Sequence, residues 1–264
     1  MNERLDNSPV KIIIYACLSL FTVNSAYVMA GSRSDDWKPI TREGVIALIS
    51  STPDGVTPDL RDLDFRNQDM SDIDFKGADL HGTYMKEVNL SKSNFENSNM
   101  DVTILRGANL EGANLRNVSL YAVIIGDANL KGADLSGAKI VGNVERSNFE
   151  GALLVNLRAG ANMKNQSMAL ANFYLRNANF NHADMTNADI SVCDAKFASF
   201  QGTNLEGANL SDCTLANADF TGANLTNANL TGADIHGVIF KDIIGKDTII
   251  GLDKTKGLKF AHFD

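Results

Sequence analysis

Histidine is a side chain that can ligate a transition metal or exchange protons near neutral pH. The four histidines of this sequence, His81, His182, His236 and His262, stand at unrelated positions of the repeat described below. Three of them are therefore not expected to converge on one ion. We expect them to be solvated surface residues, and we expect the chain to hold no metal.

Rows of aspartate are the second candidate for chemistry. Side chains such as Asp184 and Asp189 could attract cations weakly, but a carboxylate row on a flat, solvated surface has no pocket that would shift a pKa or exclude water. The sequence contains no nucleophile elbow, P-loop, zincin, EF-hand or glycine-rich calcium motif. We therefore expect no enzyme, no catalytic residue and no cofactor.

Composition narrows the class of partner. The chain has 264 residues, of which 44% are hydrophobic, and a formal net charge of −8. The acidic balance argues against a nucleic-acid groove or an anionic membrane as partner, because both require clustered lysine and arginine. Three cysteines without a Cys-x-x-Cys pair do not form a disulfide framework. The remaining expectation is a protein partner, which the sequence does not identify.

Residues 1–30 read as a secretory leader. An apolar run follows Lys11 and is too short to span a bilayer, and small residues then offer cleavage sites after Ala26 or Ala30. The alternatives are an uncleaved interfacial anchor and a lipoprotein signal ending at Cys17. We expect a periplasmic, lumenal or secreted protein that does not contact the membrane after cleavage.

Residues 31–56 precede the repeats and contain one helical pattern. Thr41 suits the N-cap, and Glu43 lies in the first turn, where the helix dipole favours an acid. The apolar residues that share roughly one face are Val45, Ile46, Leu48 and Ile49. A short amphipathic helix beside a repeat array is expected to cap its open end.

A large apolar residue recurs every five positions across most of residues 57–245. The period holds from Leu60 to Ile140 without a slip and again from Phe180 to Phe240. Five matches neither the 3.6 of a helix nor the 2.0 of a strand. The pattern instead predicts a chain that turns a corner every five residues, so that four segments close one square coil of twenty. Successive coils would stack at about 4.8 Å.

Phenylalanine spacing supports closure at twenty. Phe180, Phe200, Phe220 and Phe240 are spaced by twenty residues and are expected to stack on one side, and Phe75 and Phe95 are expected to do the same. The residue two before each centre is small and should also point inward. The Asp or Asn directly before the centre should face solvent, and the frequent Gly two after it permits a positive φ.

The segments "ADLHG", "ANLEG", "ADLSG", "ADFTG" and "ANLTG" resemble the pentapeptide-repeat family. The resemblance covers about residues 57–245. It implies an all-β fold, the right-handed quadrilateral β-helix, here with a short N-terminal capping helix. It says little about function, because fold does not carry activity.

The array is irregular over about residues 141–179. The next apparent centres are Phe149, Leu154, Met163, Met168 and Phe173, and the spacings from Ile140 to Phe180 sum to forty, which predicts a return to phase after two coils. Bulged corners or short loops are expected at about 141–147, 155–161 and 174–178. These irregular coils also concentrate residues that could form an interaction patch on an acidic rod, namely Arg146, Arg158, Lys164, Tyr174 and Arg176.

Cys193 and Cys213 both stand two residues before a centre and lie one coil apart. Their Cα atoms should therefore be about 4.8 Å apart, inside the disulfide window of about 4.4–6.8 Å. Parallel strands hold the two Cβ vectors side by side, which favours packed thiols that fill the space left by the small centre Ala195. An oxidising compartment favours a disulfide, which is the alternative.

Residues 246–264 break the period and are expected to form a C-terminal cap. Its covering residues would be Ile249, Ile250, Leu252, Leu258 and Phe260. For the whole chain we expect an exported, non-enzymatic rod that serves as a protein-interaction or structural scaffold, and a homodimer is left open. The alternatives are a DNA-mimicking protein that protects gyrase, as in some members of the family, and a secreted effector.

Overall fold

The computed structural model describes residues 37–75, 77–160 and 173–263. The predicted leader and the residues Lys164, Met163 and Met168 lie outside these ranges. Within them, no helix has the length and apolarity needed to cross a membrane.

Parallel backbone bridges join residues one coil apart in four columns, which we number as the four sides of the coil. Side one begins with the bridge Asp59–Asp79, side two with Asp64–Tyr84, side three with Asp69–Asn89 and side four with Asp74–Asn94. The step along each column is twenty residues through both regular blocks. The predicted twenty-residue coil and the all-β class are therefore confirmed.

Only short elements interrupt these bridges. In chain order they are β1 (Lys38–Pro39), α1 (Arg42–Ser51), β2 (Leu63–Asp64), β3 (Ser119–Ile124), β4 (Lys139–Asn143), β5 (Phe173–Tyr174), β6 (Ile239–Phe240) and β7 (His262–Phe263). Strand β1 pairs with β2, β4 lies between β3 and β5, and β6 pairs with β7, all in parallel. The core is the column of centre residues inside the coils, from Leu60 to Phe240.

Helix α1 covers the N-terminal end of this core, as predicted. The Thr41 side chain accepts a hydrogen bond from the Gly44 amide at 3.2 Å and caps the helix. Val45 and Ile49 are buried against the first coil. The expectation that Ile46 and Leu48 share this face was wrong, because both are exposed. They flank the buried stripe and point away from the coil.

The Asn and Asp residues before the centres form stacked ladders, which corrects the expectation that they simply face solvent. On side three, Asn109 Nδ2 donates to Asn89 Oδ1 at 3.1 Å, and Asn129 Nδ2 donates to Asn109 Oδ1 at 3.1 Å. Each Oδ1 also accepts from a backbone amide two residues later, such as the amide of Glu111 at 3.3 Å. One side chain therefore holds its own corner and ties its coil to the previous one.

The predicted phenylalanine column is confirmed and is longer than predicted. Ring centroids are 5.2 Å apart between Phe180 and Phe200, 4.7 Å between Phe200 and Phe220, and 5.4 Å between Phe220 and Phe240. Phe149 continues the stack at one end and Phe263 at the other. The column lies on side three. Phe75 and Phe95 stack separately on side four, at 4.4 Å.

The coil that begins at side one near Lys139 is one residue short. Its bridges pair Lys139 with Arg158, nineteen residues apart. The shortening lies where β4 meets β3, with a register shift between Tyr121 and Val123. Gly142 has φ of 148° there, and a Cβ at this residue would lie 2.2 Å from the Val123 carbonyl oxygen. Glycine allows the shorter corner because no side chain has to fit.

The next coil is longer, and together the two changes alter the phase. Arg158 pairs with Asp189, thirty-one residues on, and the extra residues lie between Gly160 and Phe173. Phe180 therefore stacks on Phe149 of side three, at 4.7 Å. The predicted return to phase after forty residues was wrong, because one residue is lost from the first coil and the second gains eleven.

Phe173 is also not a centre. It is buried two residues before the centre Leu175, at the position that Cys193 holds in the next coil.

Of the three predicted irregular corners, the one at 141–147 is confirmed in position, since the register shift and Gly142 lie there, but it is a shortened corner and not a bulge. Residues 155–160 and 174–178 keep ordinary corners. The non-glycine corner residues in the three ranges have φ near 57°, and they are Arg146, Asn156 and Asn177.

The C-terminal coil follows a period of six, which the sequence prediction missed. Side four ends at the bridge Asn224–Ile244, and the next bridges are Asn229–Ile250 and Asp234–Lys256. Glycines in the left-handed region recur at Gly245, Gly251 and Gly257, each followed by one 3-10 turn. Of the predicted covering residues, Ile249 and Leu252 pack against the core.

Three other predicted covering residues, Ile250, Leu258 and Phe260, are exposed. Phe263 closes the column instead. Its ring lies 4.9 Å from that of Phe240, and Lys246 Nζ lies 4.6 Å from the Phe263 centroid. The segment is therefore a last, looser coil of the stack.

Candidate functional site

Side two differs from the other three sides at the position before each centre. Elsewhere this position mostly holds Asn and Asp, whereas on side two it is held by Tyr84, Ile104, Ile124 and Tyr174 in the middle coils. Polar residues hold the rest of the column, namely Asp64, Asn143, Asp194, Thr214 and Asp234. Isoleucine and tyrosine cannot extend an amide ladder, and they place apolar and aromatic surface on the outside of the coil. Side two is therefore the candidate interaction face.

The N-terminal part of side two is already covered. Trp37 stacks on Tyr84 with centroids 4.7 Å apart, and its Nε1 donates to the Gly82 carbonyl at 2.7 Å. The Arg66 guanidinium lies over Tyr84, with Cζ 4.8 Å from the ring centroid. Tyr84 is consequently buried. The surface that remains accessible starts at Ile104, one coil further on.

Most of the predicted interaction patch comes together on side two. Arg146, Tyr174 and Arg176 lie there in adjacent coils, since Asn143 bridges to Tyr174. Arg158 lies on side one, where it follows Lys139 in the same column. Lys164 lies outside the described residues. Arg158 and Lys139 are both exposed. The patch thus extends around the corner between sides one and two.

The two arginines on side two are held by carboxylates of their own side. Arg146 makes a two-pronged contact with Asp127, with Nε–Oδ1 2.6 Å and Nη2–Oδ2 2.9 Å. Arg176 Nε donates to Asp194 Oδ2 at 2.8 Å. Glu145 lies between the two guanidinium groups, 3.8 Å from Arg146 Nη1 and 4.0 Å from Arg176 Nε.

These contacts shift the titration of the groups involved. Hydrogen bonds from Arg146 lower the pKa of Asp127, and burial acts in the opposite direction. The hydrogen bond to Asp194 raises the pKa of Arg176. Asp127 therefore stays charged and holds the Arg146 guanidinium in place on the surface. Such an array is suited to stacking and to planar contacts with a protein, and less suited to capturing free anions.

Phe197 is a functional candidate that the sequence reasoning missed. It occupies the corner position of side two with φ of 59°, although that position usually holds Gly or Asn, and 58% of it is exposed. A bulky residue in this region of φ is uncommon and exposed aromatic anchors are typical of interfaces. The signal was visible in "AKFAS", where Phe replaces the expected small corner residue.

The cysteine pair lies close to this face, inside the coil. Cys193 and Cys213 have Cα atoms 4.5 Å apart and are joined by a disulfide. The predicted neighbourhood is confirmed, and the preference for two packed thiols was wrong. Both side chains are buried and lie one coil apart in the stack.

Metal chemistry finds no support in the part of the chain that the structure describes. No group of three His, Cys, Asp or Glu side chains that could hold an ion occurs there. His236 Nδ1 lies 2.6 Å from Asp234 Oδ1, and the His236 ring stacks on Phe260 at 5.1 Å. This pair fastens the last coil to side two.

Several solved structures are similar to this chain. QnrB1, described as a plasmid-mediated fluoroquinolone resistance protein, is 17% identical with a TM-score of 0.44, covering 78% of this chain and 91% of its own. HetL, a pentapeptide repeat protein involved in heterocyst differentiation regulation in the cyanobacterium Nostoc sp., is 23% identical with a TM-score of 0.33, covering 83% and 91%. A thylakoid-lumen pentapeptide repeat protein of Arabidopsis thaliana is 23% identical with a TM-score of 0.20, covering 50% and 68%.

Comparison with curated proteins finds no match. The family model of pentapeptide repeats does match, in overlapping segments over residues 59–97, 83–120, 98–137, 174–212 and 203–242. Together these segments make up more than half of the sequence. They include both blocks in which the structure shows regular twenty-residue coils. The chain therefore belongs to the pentapeptide repeat family.

Proposed function

We propose that this protein is an exported, non-enzymatic rod that binds a partner protein through side two. The rod is a right-handed quadrilateral β-helix, and residues 1–30 are its cleaved leader. The observation that carries the proposal is the interruption of the polar column in the middle coils of side two by Ile104, Ile124 and Tyr174, with Phe197 exposed at a corner of the same side.

The sides differ in how much it costs to remove water from their surfaces. Ladders of Asn and Asp present hydrated amides and carboxylates, which are costly to strip of water unless a partner replaces every hydrogen bond. Side two offers apolar and aromatic groups beside ion pairs that are already satisfied within the chain. Contact there costs less desolvation, and aromatic and arginine side chains are enriched at protein interfaces.

Export is tested by fractionating cells that express the full-length chain and measuring the intact mass of the protein. The expected mass corresponds to loss of 26 or 30 residues, in an exported fraction. A cytoplasmic protein that keeps Met1 would contradict export. The chain's acidic balance would then favour the DNA-mimicking alternative, which a gyrase supercoiling assay tests.

The binding face is tested separately by site-specific photo-crosslinking in cells. A photo-reactive residue replaces Phe197 on side two or, as a matched control, Asn187 at the same corner position on side four, where φ is 55°. We expect a discrete adduct from position 197 only. Identical adducts from both positions, or none from position 197, would refute side two as the binding face without bearing on export.

A further inference from the structure

Two positive charges lie next to each other on side one. Lys139 and Arg158 hold the position before the centre in adjacent coils, where they are bridged to each other, and both are exposed. Ser119 precedes them in this column and Asp189 follows. Like charges at neighbouring positions of adjacent strands repel each other and destabilise a sheet. The pair therefore destabilises these two coils unless a negative charge from outside compensates it.

No carboxylate in the described part of the chain compensates this pair. Neither Lys139 nor Arg158 forms a salt bridge with a described residue, whereas every other arginine of the described coils contacts a carboxylate. Asp189, the next residue in the column, is engaged with the following coil, where Asn209 Nδ2 donates to its Oδ1 at 3.1 Å. The two cations are thus available to a partner.

Apolar surface lies beside the two charges, at the next outward position of side one. Tyr121 and Val141 are neighbours in β3 and β4, and both are partly buried. Tyr121 packs against Val102 and Ala122, which hold the corner between sides one and two. Val102 has φ of 62°, which is uncommon for a β-branched residue, and such strained residues cluster at functional sites. A charged pair and an apolar strip therefore lie side by side next to side two.

We propose that this surface binds an acidic segment of the partner protein, with carboxylates on Lys139 and Arg158 and an apolar side chain on Tyr121 and Val141. The inference rests on the proposed function, because it specifies the chemistry of the partner of side two where the contact continues around the corner. A guanidinium offers a planar pair of donors that matches a carboxylate. A carboxylate bound between the two cations would also remove their mutual repulsion.

A protein segment fits this surface better than a nucleic acid does. The chain has a formal charge of −8, and two cations do not offset its repulsion of a continuous phosphate backbone. A segment with a few carboxylates meets less repulsion. Its apolar side chains can also use Tyr121 and Val141, which phosphates cannot.

The test measures binding of a fluorescein-labelled random copolymer of glutamate and tyrosine to the purified protein by fluorescence anisotropy. Lys139→Gln with Arg158→Gln removes the pair. The matched control, Lys92→Gln with Lys131→Gln, removes the same charge from exposed positions of side three. We expect the pair variant to bind the copolymer at least about 10-fold more weakly, and the control to bind within about twofold of the wild type. Poly-glutamate without tyrosine should bind the wild type less tightly than the copolymer.

Thermal unfolding separates a pair that binds a partner from one that serves the fold. Lys139→Gln with Arg158→Gln removes a repulsion, so this variant should unfold at the temperature of the wild type or above it. Such a result also shows that the variant is folded. A lower unfolding temperature would overturn the proposal, because the pair would then stabilise the coils.

The binding data can overturn the proposal independently. A wild type that does not bind the copolymer, or equal weakening in both variants, would do so. Tighter binding of single-stranded oligo-dT that is lost in the pair variant would also overturn it, as the mark of a nucleic-acid site. If the copolymer does not bind but position 197 still gives its discrete adduct, side two remains the binding face and only this inference fails.

Discussion

The coils of the two regular blocks and the last coil use the same stacking principle with different side lengths. In the blocks, sides have five residues and a large centre that is completely buried, such as Phe220. In the last coil, sides have six residues, glycine takes the centre position, and no side chain between residues 241 and 263 is fully buried. The five-residue side thus packs a core that the six-residue side leaves partly open.

The phenylalanine column allows the largest test of this difference. Phe220→Ala should lower the free energy of unfolding by about 3–5 kcal/mol, because rings stack on it from both neighbouring coils and the site cannot collapse. Phe263→Ala, in the last coil, should cost roughly half as much, since its ring contacts one coil and is only partly buried. Urea unfolding followed by circular dichroism measures both. Equal losses of unfolding free energy in the two variants would contradict the difference between the regular coils and the last coil.

The shortened corner gives the next effect. Gly142→Ala should destabilise the protein by about 2–3 kcal/mol, because the new Cβ would lie 2.2 Å from the Val123 carbonyl oxygen. Gly132→Ala is the control, since φ is 64° but nothing lies within 4 Å, and we expect about 1 kcal/mol. The same unfolding assay applies. Similar losses at the two glycines would show that the shortened corner is not sterically limiting.

The sequence was sufficient to predict the coil and its core, because a period of five leaves a signal at every centre. It could not reveal the phase across residues 140–180. One residue is lost at Gly142 and eleven are gained in the next coil, so the net gain of ten is a multiple of five and leaves no break in the period. Only backbone pairing shows that Phe180 lies on side three.

The sequence predicted residues of the candidate site but not their placement on one side of the coil. Arg146, Tyr174 and Arg176 were found because basic and aromatic residues stand out in an acidic repeat, but their common side depends on the altered phase. The alternation of Gly245, Gly251 and Gly257 was visible in the sequence. Its spacing of six does not fit a period of five, so the sequence prediction did not include it.

The polar ladders allow a smaller test of how the five-residue coils and the last coil differ in stability. Asn209→Ala should cost about 1 kcal/mol, because its side chain bonds to Asp189 at 3.1 Å and to Asn229 at 3.3 Å. Ile250 holds the same column in the last coil. Ile250→Asn should change stability by less than about 0.5 kcal/mol, since the residue is 53% exposed. Thermal unfolding of the two variants decides, and a reversed order would show that the ladders do not add stability.

The smallest effect lies at the first coil. A hydrogen bond from Arg61 lowers the pKa of Asp59 from 3.8 to about 2. The charged pair therefore stabilises the fold above about pH 4, and this contribution is lost as the pH falls through about 2. In Arg61→Gln the Asp59 pKa should return toward 3.8. NMR titration of the carboxyl carbon measures it, and an unchanged value would exclude Arg61 as the cause.

The backbone hydrogen bonds between coils run along the axis of the stack, as from the Phe200 amide to the Asp219 carbonyl at 2.7 Å. A tensile force that pulls the two ends apart would therefore act on the hydrogen bonds between one pair of neighbouring coils at a time. We expect the coils to unfold one after another from an end of the stack. The hydrogen bonds between all coils are not expected to break at the same time. The Cys193–Cys213 disulfide is a covalent link between two neighbouring coils. Unfolding that starts at the C-terminal end should stop at the two coils that this disulfide joins.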